Sequence, residues 1–388
     1  MTYRRHTRGT DRKGSILVLT AFLMVAMMAL LAVSVDVGFL QTARTQLQQS
    51  ADAAALASAA ELIDNEALTG NGGLTDEISS ARDYAVQFAA LNPVCTAAPA
   101  VDSNSSNNPS GDVVIGYLAD PSDRTQEMNY DDPNRYNAVQ VRVRRSSSQN
   151  GEVPFFFARA LGVSSISAQC TATAALLSNF KGFRTPTDNS NLNLLPFAMD
   201  QATWDDMLAG GGTDSWTWDE AHGTVTNGAD GIREVNLYPQ GTGSPGNRGT
   251  VDIGPSNNST ADISRQILTG ASPADMAAIG GELKFNASGE LFLNGDTGIS
   301  AGVKDELASI TGKPRIIPIF REVHGPGNNA EYTIVKFAGV RILEVKLTGS
   351  ASSKRVIIQP ARVITNGGIP GGQAQTSDFV YSQVWLVR

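Results

Sequence analysis

One stretch constrains this chain more than any other: an unbroken apolar run from Ile16 to Val35 that contains no charge. About twenty residues at about 1.5 Å each give a helix of about 30 Å, the thickness of the hydrocarbon core of a bilayer. Only a helix satisfies every backbone group internally in that environment. Ile16, Leu23, Leu30 and Val35 therefore mark out a membrane anchor, and the lipid bilayer is the first expected partner. Arg4, Arg5, Arg8, Arg12 and Lys13 lie just before the run, and Asp36 just after it. Basic residues remain on the cytoplasmic side, so the expected topology is a cytoplasmic N-terminus with the rest of the chain periplasmic or extracellular. A cleaved signal peptide would show a shorter apolar core, roughly 7–15 residues, followed by a small-x-small site. Here the run is longer and the helical pattern continues straight past it. The expectation is an uncleaved, single-pass signal anchor in the cytoplasmic (inner) membrane.

The pattern beyond the anchor predicts a second, amphipathic half of the same helix over 37–64. Leu40, Ala43, Leu47, Ala51 and Ala54 recur at steps of three and four, with Gln41, Arg44, Thr45, Gln48 and Asp52 on the other side. The stripe is mostly alanine, so a neighbour can approach closely. That neighbour is either a face of the chain's own body or further copies of the helix in a homo-oligomer. Asn65 and the glycines between Gly70 and Gly73 end the element.

The remaining sequence reads as a loop-rich, β-rich globular body. Hydrophobic residues make up 41% and charged residues 18%, with 38 glycines and 17 prolines. The net charge of −8 is uneven: residues 1–14 carry +4, which leaves −12 on the rest. An acidic body excludes a nucleic-acid partner, because phosphate binding needs a positive surface. Ala81 to Leu91 predicts a short helix with Tyr84, Phe88 and Leu91 in the core. Val113 to Leu118 is of strand length. Asn137 to Arg145 is the clearest strand, with Val139, Val141 and Val143 alternating against Gln140, Arg142 and Arg144. Val153 to Leu161 is either a short helix on the sheet or, given three consecutive phenylalanines, a segment near the membrane surface. Ile166 to Leu177 predicts another strand, and 178–193 a polar linker.

Past the linker, helices are expected at Thr260 to Leu268, Pro273 to Ile279 and Ser300 to Ile310. Strands are expected at Arg315 to Phe320, Tyr332 to Phe337, Val340 to Leu347, Arg355 to Ile364 and Phe379 to Val387. The expected class is α+β, with mainly antiparallel sheets. The expected organisation is a cytoplasmic basic tail (1–15), a transmembrane helix (16–35), a pilin-like helix plus sheet (36–178) and a C-terminal α+β domain (194–388).

Chemistry is thin. His222 and His324 lack His or Cys neighbours at metal-binding spacing, so neither a metal nor a cofactor is expected. There is no P-loop, GxSxG or HExxH pattern. The pairs Asp131-Asp132 and Asp205-Asp206 read as solvated loop charges. Cys95 and Cys170 either form one disulfide or are two unrelated small hydrophobes; spacing does not decide. Trp204, Trp216 and Trp218 are either core or an aromatic binding platform.

Gly14, the apolar run, Asp36-Val37-Gly38 and then Gln46 to Ala57 (QLQQSADAAALA, with Asp52 and Leu56) resemble the N-terminal region of TadE/TadG-like proteins of the Tad (Flp) pilus-assembly system. The resemblance covers about residues 12–60. It continues more loosely through Ala138 to Val143, Val153 to Gly162, Ala168 to Ala175 and Leu194 to Ala198. It implies a structural pilus-assembly component, without catalysis of its own, whose partners are other Tad assembly proteins or pilin. The alternatives are an anchored binding or adhesion module and an anchored polymer hydrolase. Prepilin-type processing would need a Glu at the fifth position after Gly14, where Leu19 stands. The metal-binding Asp-x-Ser-x-Ser of some TadG relatives is absent; Asp102 to Ser106 carries Asn104 at its third position.

Overall fold

The computed structural model describes residues 15–63, 66–69, 73–238, 248–255, 259–296, 299–325, 330–372 and 374–387. The basic tail with Arg4, Arg5, Arg8, Arg12 and Lys13, and Gly14, lies outside these. The architecture is α+β: one long apolar helix, then a β-rich body with mainly antiparallel sheets.

Helix α1 runs without a break from Ser15 to Ala60, 46 residues, about 69 Å at 1.5 Å per residue. Its two halves differ in surroundings. From Ile16 to Val35 the large side chains are exposed: Leu23 is 52% exposed, Leu30 69% and Val35 51%. The hydroxyls of Thr20 and Ser34 donate to the carbonyls four residues back, each at 2.8 Å, and so stay satisfied without solvent. From Ala43 onward one face is buried, with Ala43, Leu47, Ala51, Ala54, Ala55 and Ala59 all at 0% exposure.

That face is covered from two sides. Helix α2 (Thr75–Ala90) packs along it through Ala81, Ala85 and Ala89. Alanine against alanine lets the backbones approach until Ser50 and Ser58 of α1 donate to the carbonyls of Ala89 and Ala81, at 3.1 and 2.5 Å. This corrects the expected face of α2 in part: Tyr84 and Leu91 point outward, 38% and 64% exposed, while Phe88 stays half-buried against the core. The three-and-four spacing was right, but two interleaved stripes share it, and the close contact selects the small one.

The other side is a four-stranded sheet in the order β1 (Val113–Gly116), β2 (Ala138–Arg145), β5 (Ala168–Ala175), then the C-terminal strand Trp385–Leu386. Two two-residue strands, β3 (Val153–Pro154) and β4 (Ser165–Ile166), pair between β2 and β5 in sequence. Val139, Val141 and Val143 are buried against α1. Arg142 and Arg144 do not simply face water. They bind the 102–112 loop, Arg142 donating to the Ser110 carbonyl at 2.8 Å and Arg144 pairing with the buried carboxylate of Asp112.

Residues 178–193 contain a strand, Phe180–Arg184, with Phe180 and Phe183 fully buried, where a linker was expected. In the C-terminal region, Leu291–Asp296, Arg248–Val251, Phe197–Asp200, Pro314–His324 and Ala330–Lys346 pair in a ring, since the last pairs back to the first. Only the Phe197–Asp200 pairing with Pro314–His324 is parallel within that ring. Tyr332 is fully buried, and a Cβ on Gly249 would lie 2.1 Å from its hydroxyl and one on Gly295 2.9 Å from its ring. Glycine is what makes room for the tyrosine. Helices Gln201–Leu208, Thr260–Thr269 and Lys304–Ser309 cover one face, burying Trp204, Ile267 and Leu307.

Candidate functional site

The residues of the N-terminal motif meet the rest of the chain where α1 changes from exposed to buried. Asp36 is the first member of the buried stripe, in phase with Leu40, Ala43 and Leu47, and is 4% exposed. Its carboxylate accepts from three consecutive backbone N–H groups: Phe156 at 2.7 Å, Phe157 at 3.1 and 3.3 Å, and Ala158 at 2.7 Å. These open a single 3₁₀ turn, Ala158–Leu161, which closes on Gly162 at φ 87°. A carboxylate satisfies such otherwise unbonded donors well, and charge-assisted bonds are the stronger kind. The Phe39 and Phe156 rings meet edge to face at 5.1 Å, one turn further along α1.

The loop from 155 to 163, hung between β3 and β4, is thus latched to α1 at the last turn before the fully exposed helix. Its apolar side chains are turned outward: Phe156 is 56% exposed, Phe157 50%, Leu161 80% and Val163 49%. The sequence held a cue to the latch. A charge falls at an apolar position of the stripe, immediately after the longest uncharged run.

Other motif residues are placed differently. Gly38 is exposed, and a Cβ there would meet nothing within 4 Å, so no close approach demands it. Asp52 accepts from Gln48 at 2.7 Å along the helix. Leu56 packs, half-buried, on the first core. Cys95 and Cys170 are both free thiols. The Cys95 N–H donates to the Gln46 side chain at 2.8 Å and the Cys170 thiol contacts the Arg44 carbonyl at 3.5 Å. The Asp102 to Ser106 stretch is a braced loop: Asn104 donates to the carbonyls of Asn108 and Val113 at 2.8 and 2.7 Å. The tryptophans do not form one platform. Trp204 is buried and donates to Asp378 at 2.9 Å, whereas Trp218 lies under the Arg341 guanidinium at 4.6 Å.

Among the described residues no three His, Cys, Asp or Glu side chains cluster as a metal site. One carboxylic acid among the described residues is pushed upward. Burial, with the charges of Asp262 and Asp275, pushes the Asp252 carboxyl up to about 6. Its Oδ1 is buried without a partner. Arg265 binds Asp275 at 2.7 and 2.9 Å and Asp262 at 2.5 Å. A cleft of about 450 Å³ lies elsewhere, lined by Trp218, Glu220, Arg341, Gln359 and Arg362.

Among the described residues one apolar helix is of membrane-crossing length, 0% buried over its apolar window and carrying a β-rich body, which fits a single-pass membrane anchor. Residues 14–61 match the family described as Flp pilus-assembly TadE/G-like, and residues 41–174 match one described as Tad-like Flp pilus-assembly. Over residues 14–174 the chain is thus similar to Flp pilus-assembly families, which supports a role in pilus assembly. The second match ends one residue before the end of β5. No curated protein and no solved structure matches the chain.

Proposed function

We propose that the chain is a TadG-like structural component of a Tad (Flp) pilus or related secretion system, held in the cytoplasmic membrane and without catalysis of its own. Ile16 to Val35 cross the bilayer. The basic tail stays in the cytoplasm, and the body stands on the far side, where it contacts other assembly proteins or pilin. The observation that carries this reading is the single unbroken helix of 46 residues. Its first half offers an uncharged and largely apolar surface, and its second half is built into the matched body. Two working parts are proposed for that body: a helix-and-sheet unit over 36–178 and a C-terminal α+β unit over 194–388.

The non-catalytic reading draws support from how the acids are employed. Asp262 and Asp275 are bound by Arg265, and Asp275 also closes the capping box of the helix Pro273–Ala278. Asp252, the one carboxyl among the described residues with a strongly raised pKa, does not line the Trp218–Arg341 cleft. The alanine stripe of α1 is already covered by α2, β2 and β5, which leaves no free stripe there for copies to share.

Co-purification of the full chain from membranes in mild detergent tests the proposal. Recovery with Tad assembly proteins or pilin is expected, together with loss of pili on deletion. A chain that purifies alone, and whose deletion leaves piliation intact, overturns it.

A further inference from the structure

We infer that the 155–163 loop is an interfacial foot: a second membrane contact that lies in the headgroup layer of the bilayer crossed by α1, with Asp36 as the latch that holds it there. This rests on the reading of Ile16 to Val35 as a membrane span.

The first argument is height. The hydrocarbon core is about 30 Å thick and the whole bilayer about 40–45 Å, so each headgroup layer is about 5–8 Å deep. Asp36 lies one helical step, about 1.5 Å, beyond Val35, and Phe39 lies about 6 Å beyond it. The loop is bonded to Asp36 and its Phe156 ring packs on Phe39. Its backbone therefore sits at the level of the headgroup layer, next to the acyl boundary.

The second argument is composition and aim. An isolated exposed leucine needs no explanation. Four large apolar side chains exposed within eight residues, Phe156, Phe157, Leu161 and Val163, are different. Val33, Val35 and Val37 of α1, within one helical turn of Asp36, are also exposed, at 54%, 51% and 51%. Arg159 stands exposed among them. Apolar side chains with a basic residue between them match an interfacial segment, whose cation reaches lipid phosphates while its apolar groups enter the acyl boundary.

The third argument is the backbone. Next to the acyl boundary water is scarcer than on the rest of the body, and backbone N–H groups left unbonded toward the hydrocarbon side are costly. The Asp36 carboxylate takes up three of them. The foot then fixes the depth and tilt of α1, since two contacts on a rigid junction define a plane where one helix alone does not.

The test uses the full chain in lipid nanodiscs, with single cysteines placed in a C95S/C170S background and labelled with an environment-sensitive fluorophore. Leu161→Cys reports the foot, Met24→Cys the span and Thr187→Cys, exposed on the body, the water phase. Lipids spin-labelled near the headgroup should quench position 161 at least threefold more than position 187, and Asp36→Ala should at least halve that quenching while position 24 is unchanged. If 161 behaves like 187 while 24 reads as lipid, the foot is refuted and the anchor stands. If 24 also reads as water, the membrane reading falls with it. With the native cysteines kept, benzoyl-phenylalanine at Phe157 should crosslink to lipid. Crosslinking to a second copy or to another protein instead would overturn the proposal.

Discussion

At the scale of single residues, Asp36 and Asp252 show opposite uses of a carboxylate. Asp36 gains its surroundings by accepting three backbone N–H bonds. Replacing it by alanine should raise hydrogen exchange at the amides of Phe156 to Ala158 at least tenfold, with Asn giving a smaller rise because one acceptor oxygen remains. Exchange unchanged in both variants would show that the latch holds nothing. Asp252 is held against its preference. Its folded value of about 6 lies above that of an unfolded Asp, near 4. The folded state therefore binds the proton more tightly. That contribution to stability is full below pH about 4, is lost as pH rises to about 6, and stays lost above. Asp252→Asn should raise the melting temperature at pH 7.5, a stabilisation on the order of 1 kcal/mol once solvent screening is allowed for. It should also flatten the fall between pH 4 and 6. A variant that melts lower at pH 7.5 would contradict the account.

At the scale of elements, the α1–α2 contact is set by side-chain size. Ala85→Leu, placed where alanine meets alanine, should cost about 1–3 kcal/mol through overpacking. Tyr84→Ala, one position away on the outer face, should cost less than about 1 kcal/mol, a contrast readable in urea melts. Equal losses would mean that the small-residue face does not govern the packing. These two helices also show what the sequence could disclose. The continuous helix was legible, because a proline-free run with unbroken three-and-four spacing admits little else. So were β2, from its alternating valines, and the helices at 260–269 and 273–278, from apolar spacing between glycine and proline stops. The face of α2 was not, because its stripe of Tyr84, Phe88 and Leu91 competes with its stripe of Ala81, Ala85 and Ala89, and only the partner decides. Phe180–Arg184 was missed for a related reason. It is short, and its partners at 282–284 and 368–370 lie about a hundred or more residues away.

At the scale of the whole molecule, the chain closes on itself. Trp385–Leu386 pairs with Ala174 and Ala175, extending the sheet that covers α1. Long-range pairing of this kind leaves no local signal, so the return of the C-terminus could not be read from sequence. Deleting 382–388 should speed exchange at the edge of β5 while the ring around Tyr332 keeps its protection; unaltered exchange in β5 would argue that the strand contributes nothing there. The Asp36 latch was half legible: its two halves lie in the stretches that resemble the pilus-assembly family, but their meeting across 120 residues was not. The most direct measurement of the central claim is protease treatment of spheroplasts expressing the chain with an epitope ahead of Met1. The account predicts that the body is digested from outside while the epitope survives on a short fragment that stays in the membrane after alkaline washing. A body recovered intact in the soluble fraction, with the epitope and the first thirty-odd residues gone, would contradict it.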